Sequence, residues 1–248
     1  MQKHDMSVVT LGDIRTAIAL LSRIPLKAEF DRSAKAAWAY PLAGIAVSLI
    51  AGLITMIGLW VGLSAPVAAA LWIGATIVLT GAMHEDGLAD CADGFWGGFE
   101  KPRRLEIMKD SQIGTYGVLA LVLSIGLRWL LIAALIAADN WFWSLLAIET
   151  LSRAVMPSIM HALPHARSDG LSHAQGRPPL NSAAIAVAIG FVVALFCLGW
   201  VAFKIAVLLA VATAATAKLA DIKIGGQTGD VLGASQQFAM IIALMILA

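Results

Sequence analysis

Charge is scarce in this chain. Asp, Glu, Lys and Arg make up 13% of its 248 residues, and they nearly cancel, leaving a formal net charge of +1. Soluble domains carry about a quarter of their residues charged, so a soluble fold is excluded. With no basic, aromatic-interleaved patch, nucleic acid is excluded as a partner as well. Cysteine is nearly absent too: Cys91 lies in an acidic stretch and Cys197 in an apolar run, a spacing that gives neither a disulfide framework nor a zinc site. No cleavable signal is visible, because the first apolar stretch is short and carries Arg15 and Arg23.

What fills the chain instead is hydrocarbon. Hydrophobic residues make up 60% of it, in runs near the roughly 20 residues that a membrane-crossing helix needs. The expected fold is an all-α, polytopic integral membrane helical bundle, one domain over 1–248 with about seven transmembrane helices in the lipid bilayer. Residues 10–25, TLGDIRTAIALLSRIP, run from a cap at Thr10 to a stop at Pro25. Ile14, Ala17, Leu21 and Ile24 share a face opposite Arg15 and Arg23, which predicts an interfacial amphipathic helix. Spans are expected at 41–62, 67–83, 117–138, 141–160, 183–202 and 205–220, with a short final apolar segment. Three polar loops, 84–116, 161–182 and 221–236, separate them.

Basic residues set orientation. Lys3, Arg15, Arg23, Lys27, Arg32 and Lys35 precede the first span; Lys101, Arg103, Arg104 and Lys109 follow the second. Arg153, Arg167 and Arg177, then Lys218 and Lys223, lie at the next two loops on the same side, leaving only Arg128 and Lys204 of the 17. The N-terminus and all three polar loops are therefore expected on the cytoplasmic face of the inner membrane.

The first of those loops opens with HEDGLADCADGFWGG, 84–98. On a helix, Asp86, Asp90 and Asp93 point into one sector of about 60°. Adjacent carboxylates repel, and a divalent cation cancels the repulsion. Oxygen-only ligands favour magnesium or manganese, and magnesium commonly bridges to substrate phosphates. Glu85 projects differently and is counted with the substrate-binding set, or else as an interfacial acid. The next stretch, KPRRLEIMKDSQIGTYG, brings Arg104 and Lys109 as cations for phosphate oxygens, and Asp110 and Ser111 as further polar groups. Gly114 and Gly117 flank the start of a span, where backbone amides can cradle an anion. Arg167 and Asp169 in the second loop, and Gly225, Gly226, Thr228 and Asp230 in DIKIGGQTGDVLGA, share that face. Inside the membrane, Arg128 and Glu149 fall at similar depth and are expected to pair, with Arg153 one turn from Glu149.

HEDGLADCADGFWGG, IMKDSQIGTYG and GGQTGDVLGA together resemble the cobalamin synthase (adenosylcobinamide-GDP ribazoletransferase) family, and LLSRIP and AYPLAGI resemble its opening segment. The likeness runs from about residue 15 to 240. It implies magnesium-dependent transfer from adenosylcobinamide-GDP to α-ribazole, or its 5′-phosphate, with release of GMP. Under that resemblance Asp86, Asp90 and Asp93 hold magnesium and Asp110 or Asp93 accepts the hydroxyl proton. Lys109 and Arg104 would grip the diphosphate, with backbone from Gly114, Gly117, Gly225 and Gly226. Neither substrate requires a membrane, so the location is expected to serve assembly with other enzymes of cobalamin synthesis, or with copies of this chain. A CDP-alcohol phosphotransferase would need the pattern DG-x2-AR-x8-G-x3-D-x3-D, and the residues after Asp86-Gly87 depart from it. An ion-coupled transporter would place its acids near mid-membrane rather than at span ends.

Overall fold

The structure, a computed structural model, describes residues 9–248; Lys3, counted above among the orienting cations, lies outside the described residues. The helices run α1 Leu11–Leu21, α2 Tyr40–Trp60, α3 Ala65–Thr80, α4 Met83–Gly97, α5 Lys101–Ile107 and α6 Thr115–Ala137. They continue as α7 Trp141–Ala154, α8 Met156–Ala162, α9 Leu171–Gln175, α10 Leu180–Leu198, α11 Val201–Ile224 and α12 Gly229–Leu247. A 3-10 turn, Lys35–Ala39, leads into α2. Among the described residues there is no strand, only one parallel bridge between His165 and Gln227. The all-α membrane bundle read from the sequence is what is found.

Among the described residues five helices are long and apolar enough to cross a bilayer, and α3 with α4, bent by 87°, is a broken sixth span or a re-entrant hairpin. The expected count of about seven is corrected by α7, which has only 14 residues. It sits at the centre of the bundle: every residue from Ser144 to Ala154 is buried. Pro157 lacks the N–H that would continue its ladder, so α8 starts separately. The last helix is longer than expected. Thr228 caps α12, its side chain accepting from the Val231 N–H, and most of the expected loop 221–236 is helical. The stretch 84–116 is likewise mostly helix, as α4 and α5.

The α3–α4 break has a backbone cause. Gly81 has φ +65° and Ala82 φ +58°, and the Ala82 N–H donates to the Ile77 carbonyl at 2.9 Å, a left-handed helix ending that glycine adopts at little cost. The chain then leaves at a new angle, and α4 packs between α6 and α12.

The amphipathic α1 buries Ala17 and Leu21 in a cluster with Trp38 and Tyr40, so its apolar face serves the protein. Asp13 fastens it. One carboxylate accepts from the Thr10 N–H (2.9 Å), Trp38 Nε1 (2.8 Å) and Arg32 Nε (3.0 Å). Asp13→Ala would leave a buried indole N–H unpaired and is expected to cost about 3 kcal/mol. Thermal unfolding in detergent, followed by circular dichroism, checks it.

Candidate active site

α4 is regular through all three aspartates, so the spacing read from the sequence survives, but they do not share one environment. Asp86 is exposed, Asp90 half-buried and Asp93 buried. Asp93 Oδ2 accepts the Gly114 N–H at 2.7 Å and its Oδ1 the Gly117 N–H at 2.9 Å. The anion seated at the α6 N-terminus is thus Asp93 itself. One expectation is corrected: these amides do not await a phosphate, because each is already donated to an Asp93 oxygen.

The third carboxylate of the group comes from elsewhere. Gly87 lets α4 approach the start of α12 so closely that a Cβ there would lie 2.7 Å from the Asp230 carbonyl oxygen and 2.9 Å from its Cα. Asp90 is left half-buried beside Asp230 and Asp86, whose charges repel its own, with Arg167 opposing them. Arg167 Nη2 lies 3.3 Å from Asp230 Oδ2, and its Nε 3.5 Å from Asp169 Oδ1. Its Nη1 is buried without a partner. Lys109 pairs with Asp169 across the solvent-exposed side, and that hydrogen bond draws the Asp169 carboxyl below the ordinary carboxylate value. Thr228 Oγ1 donates to Asp230 Oδ2 at 3.1 Å. So Asp86, Asp90, Asp230, Thr228, Arg167, Asp169 and Lys109 gather at one end of the bundle.

Gln227, which the sequence reading passed over, builds the loop that carries Arg167. Its carbonyl accepts the Ala166 N–H at 2.9 Å, its N–H donates to the Pro164 carbonyl at 2.8 Å, and its side chain reaches Ser172 Oγ at 2.6 Å and His165 Nδ1 at 2.9 Å. A buried amide between glycines was the available signal. Gly226 sits so close to the Pro164 carbonyl that no side chain fits, and the Gly225 N–H donates to the Ala220 and Asp221 carbonyls to close α11. The expected cradle is therefore corrected at Gly225, whose N–H is taken up in ending α11.

Burial, then His173 and Arg177, hold the His165 imidazole below its ordinary value. A depressed histidine favours the neutral fold: stability is present above the unfolded value of about 6.5 and is lost as pH falls through the lower, folded one. The protection factor of the Ala166 amide, its exchange rate corrected for the intrinsic pH dependence, should therefore fall as pH drops below about 6.5 in hydrogen–deuterium exchange, and His165→Asn should flatten that step.

Other expected site residues lie apart. Arg104 donates to the Gly98 and Lys223 carbonyls, each at 2.9 Å, so it ties α5 to α4 and α11 instead of presenting a free cation. Asp110 is exposed and accepts the Gln112 N–H at 3.0 Å; Ser111 is exposed beside it. Glu85 is buried against Arg128 at 2.9 Å, and Glu149 pairs with Arg153 one turn away. The expected Arg128–Glu149 pair is thereby replaced, because the α3–α4 bend brings Glu85 to Arg128 and Arg153 is already within reach of Glu149.

Among the described residues no three His, Cys, Asp or Glu side chains stand arranged around a metal position. The donor chemistry of Asp86, Asp90 and Asp230 nevertheless fits magnesium. These are oxygen-only ligands that repel one another, opposed by Arg167 and by the Thr228 hydrogen bond to Asp230, and magnesium takes one or two carboxylates and completes its shell with water and phosphate.

Apolar spans with acids from two helices and bases from two loops at one end define a polytopic membrane protein with a site for a multiply charged ligand. The family model described as cobalamin-5-phosphate synthase matches residues 13–248, and the chain belongs to that family, an enzyme family of cobalamin synthesis. It is 44% identical over 245 residues to an adenosylcobinamide-GDP ribazoletransferase of Bradyrhizobium diazoefficiens, covering 96% of this chain and 94% of that one. A protein of the same name from Mesorhizobium japonicum is 40% identical over 239 residues, with 95% and 92% covered. One from Brucella canis is 40% identical over 250 residues, with 95% of each covered. No solved structure matches the chain. The family likeness carried by the three motifs is borne out.

Proposed function

We propose that the chain joins adenosylcobinamide-GDP to α-ribazole, or to its 5′-phosphate, giving adenosylcobalamin, or its 5′-phosphate, and GMP. The work is done at the cytoplasmic face of the inner membrane. The observation that carries this reading is the meeting of Asp86 and Asp90 with Asp230 beside Arg167, whose Nη1 is buried and unpaired. An anion is the natural partner for that guanidinium, and a diphosphate offers oxygens to it and to Lys109.

A ribose hydroxyl of the ribazole that stays free when the 5′ position carries phosphate attacks the phosphorus bonded to cobinamide, the bond to the bridging oxygen breaks, and GMP departs with that oxygen. Phosphoryl transfer asks a protein for position and charge neutralisation more than for covalent help. Asp86, Asp90 and Asp230 would hold magnesium, which when bound neutralises charge on the phosphate oxygens. Arg167, beside Asp230, would neutralise charge on the diphosphate through its unpaired Nη1. With Asp93 committed to two amides, the hydroxyl proton passes to a carboxylate of the Asp86–Asp90–Asp230 group. Purified protein in nanodiscs, given both substrates, should form cobalamin and GMP only when magnesium is present. Solute flux without nucleotide turnover would instead support a transporter.

A further inference from the structure

Two acids of α4 take no part in the group just described, and both are bound to other helices. At one end Glu85 Oε1 accepts from Arg128 Nη1 of α6 at 2.9 Å and from Gln237 Nε2 of α12 at 3.2 Å. At the other end Asp93 holds the Gly114 and Gly117 amides where α6 begins. The first turn of α4 lies against the middle of α6 and Asp93, a turn before the end of α4, against the start of α6, so the two helices run in opposite senses and are joined twice. About 12 Å of helix separates the two joints, and Asp86 and Asp90 lie between them.

Stability does not explain the inner joint. Arg128 is 1% exposed and Glu85 7%. Burying such a pair costs about what its attraction returns, and apolar side chains of similar size usually hold a core as well or better. The pair is not even complete: Arg128 Nε and Nη2 and Glu85 Oε2 have no partner. What a buried pair does supply is a single allowed register, because any slip strands a charge in a dry interior. Between the two joints the face that α4 turns to its neighbours is mainly apolar, with Leu88 and Cys91 in one cluster, so its rotation is set by the polar contacts at its two ends, Asp93 at one and Glu85 at the other. Fixing Glu85 on Arg128 fixes Asp86 about 100° further round the axis and Asp90 about 140°.

We infer that the Glu85–Arg128 pair, with Gln237, is a positioning device that sets the depth and rotation of α4 so that Asp86 and Asp90 meet Asp230. It rests on the function proposed above, since that reading gives those carboxylates their task. Glu85 and Arg128 are positioning residues and touch no substrate.

The test uses the full chain in nanodiscs and three variants: Glu85→Leu with Arg128→Leu, Glu85→Asp, and Asp90→Ala. Thermal midpoint, binding of Mn2+ alone by electron paramagnetic resonance, and turnover with both substrates are measured for each. The double variant should keep a wild-type midpoint, bind Mn2+ at least tenfold more weakly and turn over at least thirtyfold more slowly, with KM for the nucleotide-bearing substrate changed less than threefold. Glu85→Asp keeps the charge but shortens the arm, and should lose several-fold in both Mn2+ affinity and turnover. A stable double variant with wild-type Mn2+ affinity and turnover overturns the inference. Should the double variant not fold, wild-type values for Glu85→Asp overturn it instead. Asp90→Ala separates the two levels: if it is inactive while the pair variants are normal, positioning alone fails. If Asp90→Ala is fully active, the reading of the site fails and this inference falls with it.

Discussion

Asp90→Ala leaves a folded protein whose turnover is about a thousandfold below wild type. That factor corresponds to roughly 4 kcal/mol of transition-state stabilisation. Asp90 is half-buried and feels the charges of both Asp86 and Asp230, so removing it takes one carboxylate out of the group in which acids of α4 and α12 meet. The fold should not suffer, because Asp90 makes none of the joints that fasten α4; those belong to Glu85 and Asp93. Truncation even relieves repulsion, and the thermal midpoint should hold or rise slightly. The contrast is Asp110→Ala. That acid is exposed, caps only the Gln112 amide and should lose less than about threefold, the ordinary range for a surface substitution. Single-turnover kinetics on the two proteins, under saturating substrates, gives both numbers.

Gly87→Val should cost about a hundredfold in turnover while touching no charged group. A Cβ at this position would fall 2.7 Å from the Asp230 carbonyl oxygen, and that atom belongs to backbone that no rotamer change can move. Either α12 slides away from α4 or α4 tilts, and each displaces Asp230 relative to Asp90 by the order of 1 Å. Displacements of that size commonly cost a hundredfold where a reaction depends on placed charges. The loss should appear in turnover and in magnesium requirement, with a smaller change in KM. Gly229→Ala provides the comparison. It lies one residue before Asp230, its added Cβ would meet nothing within 4 Å, and near-wild-type turnover is expected.

Much of this was legible in the chain. The apolar runs gave the spans, and the 4- and 3-residue spacing of Asp86, Asp90 and Asp93 gave a helix face that the structure retains. What the sequence hid were partnerships between distant residues. Arg128 and Glu149 fall at similar depth, yet depth alone cannot see that the left-handed backbone at Gly81 and Ala82 redirects α4 and delivers Glu85 to Arg128. Asp93 looks like its neighbours by periodicity, and only the docking of α6 turns it into a cap. Gln236 closed an expected polar loop and Gln237 opened the last apolar segment, so neither was read as buried; inside α12 they find Ser152 and Glu85. Gln227 was masked by the glycines around it, which looked like a phosphate cradle and are a splice between two loops.

The placement of Asp230 opposite Asp90 is what most separates this site from a row of acids along one helix. Turnover of the proposed substrates, adenosylcobinamide-GDP and α-ribazole, should be titrated with magnesium for wild type and Asp230→Asn. If Asp230 shares the cation with α4, the magnesium concentration for half-maximal rate rises at least about tenfold in the variant, as expected when one metal contact is lost. An unchanged magnesium curve, at any maximal rate, would show that the cation is held without α12.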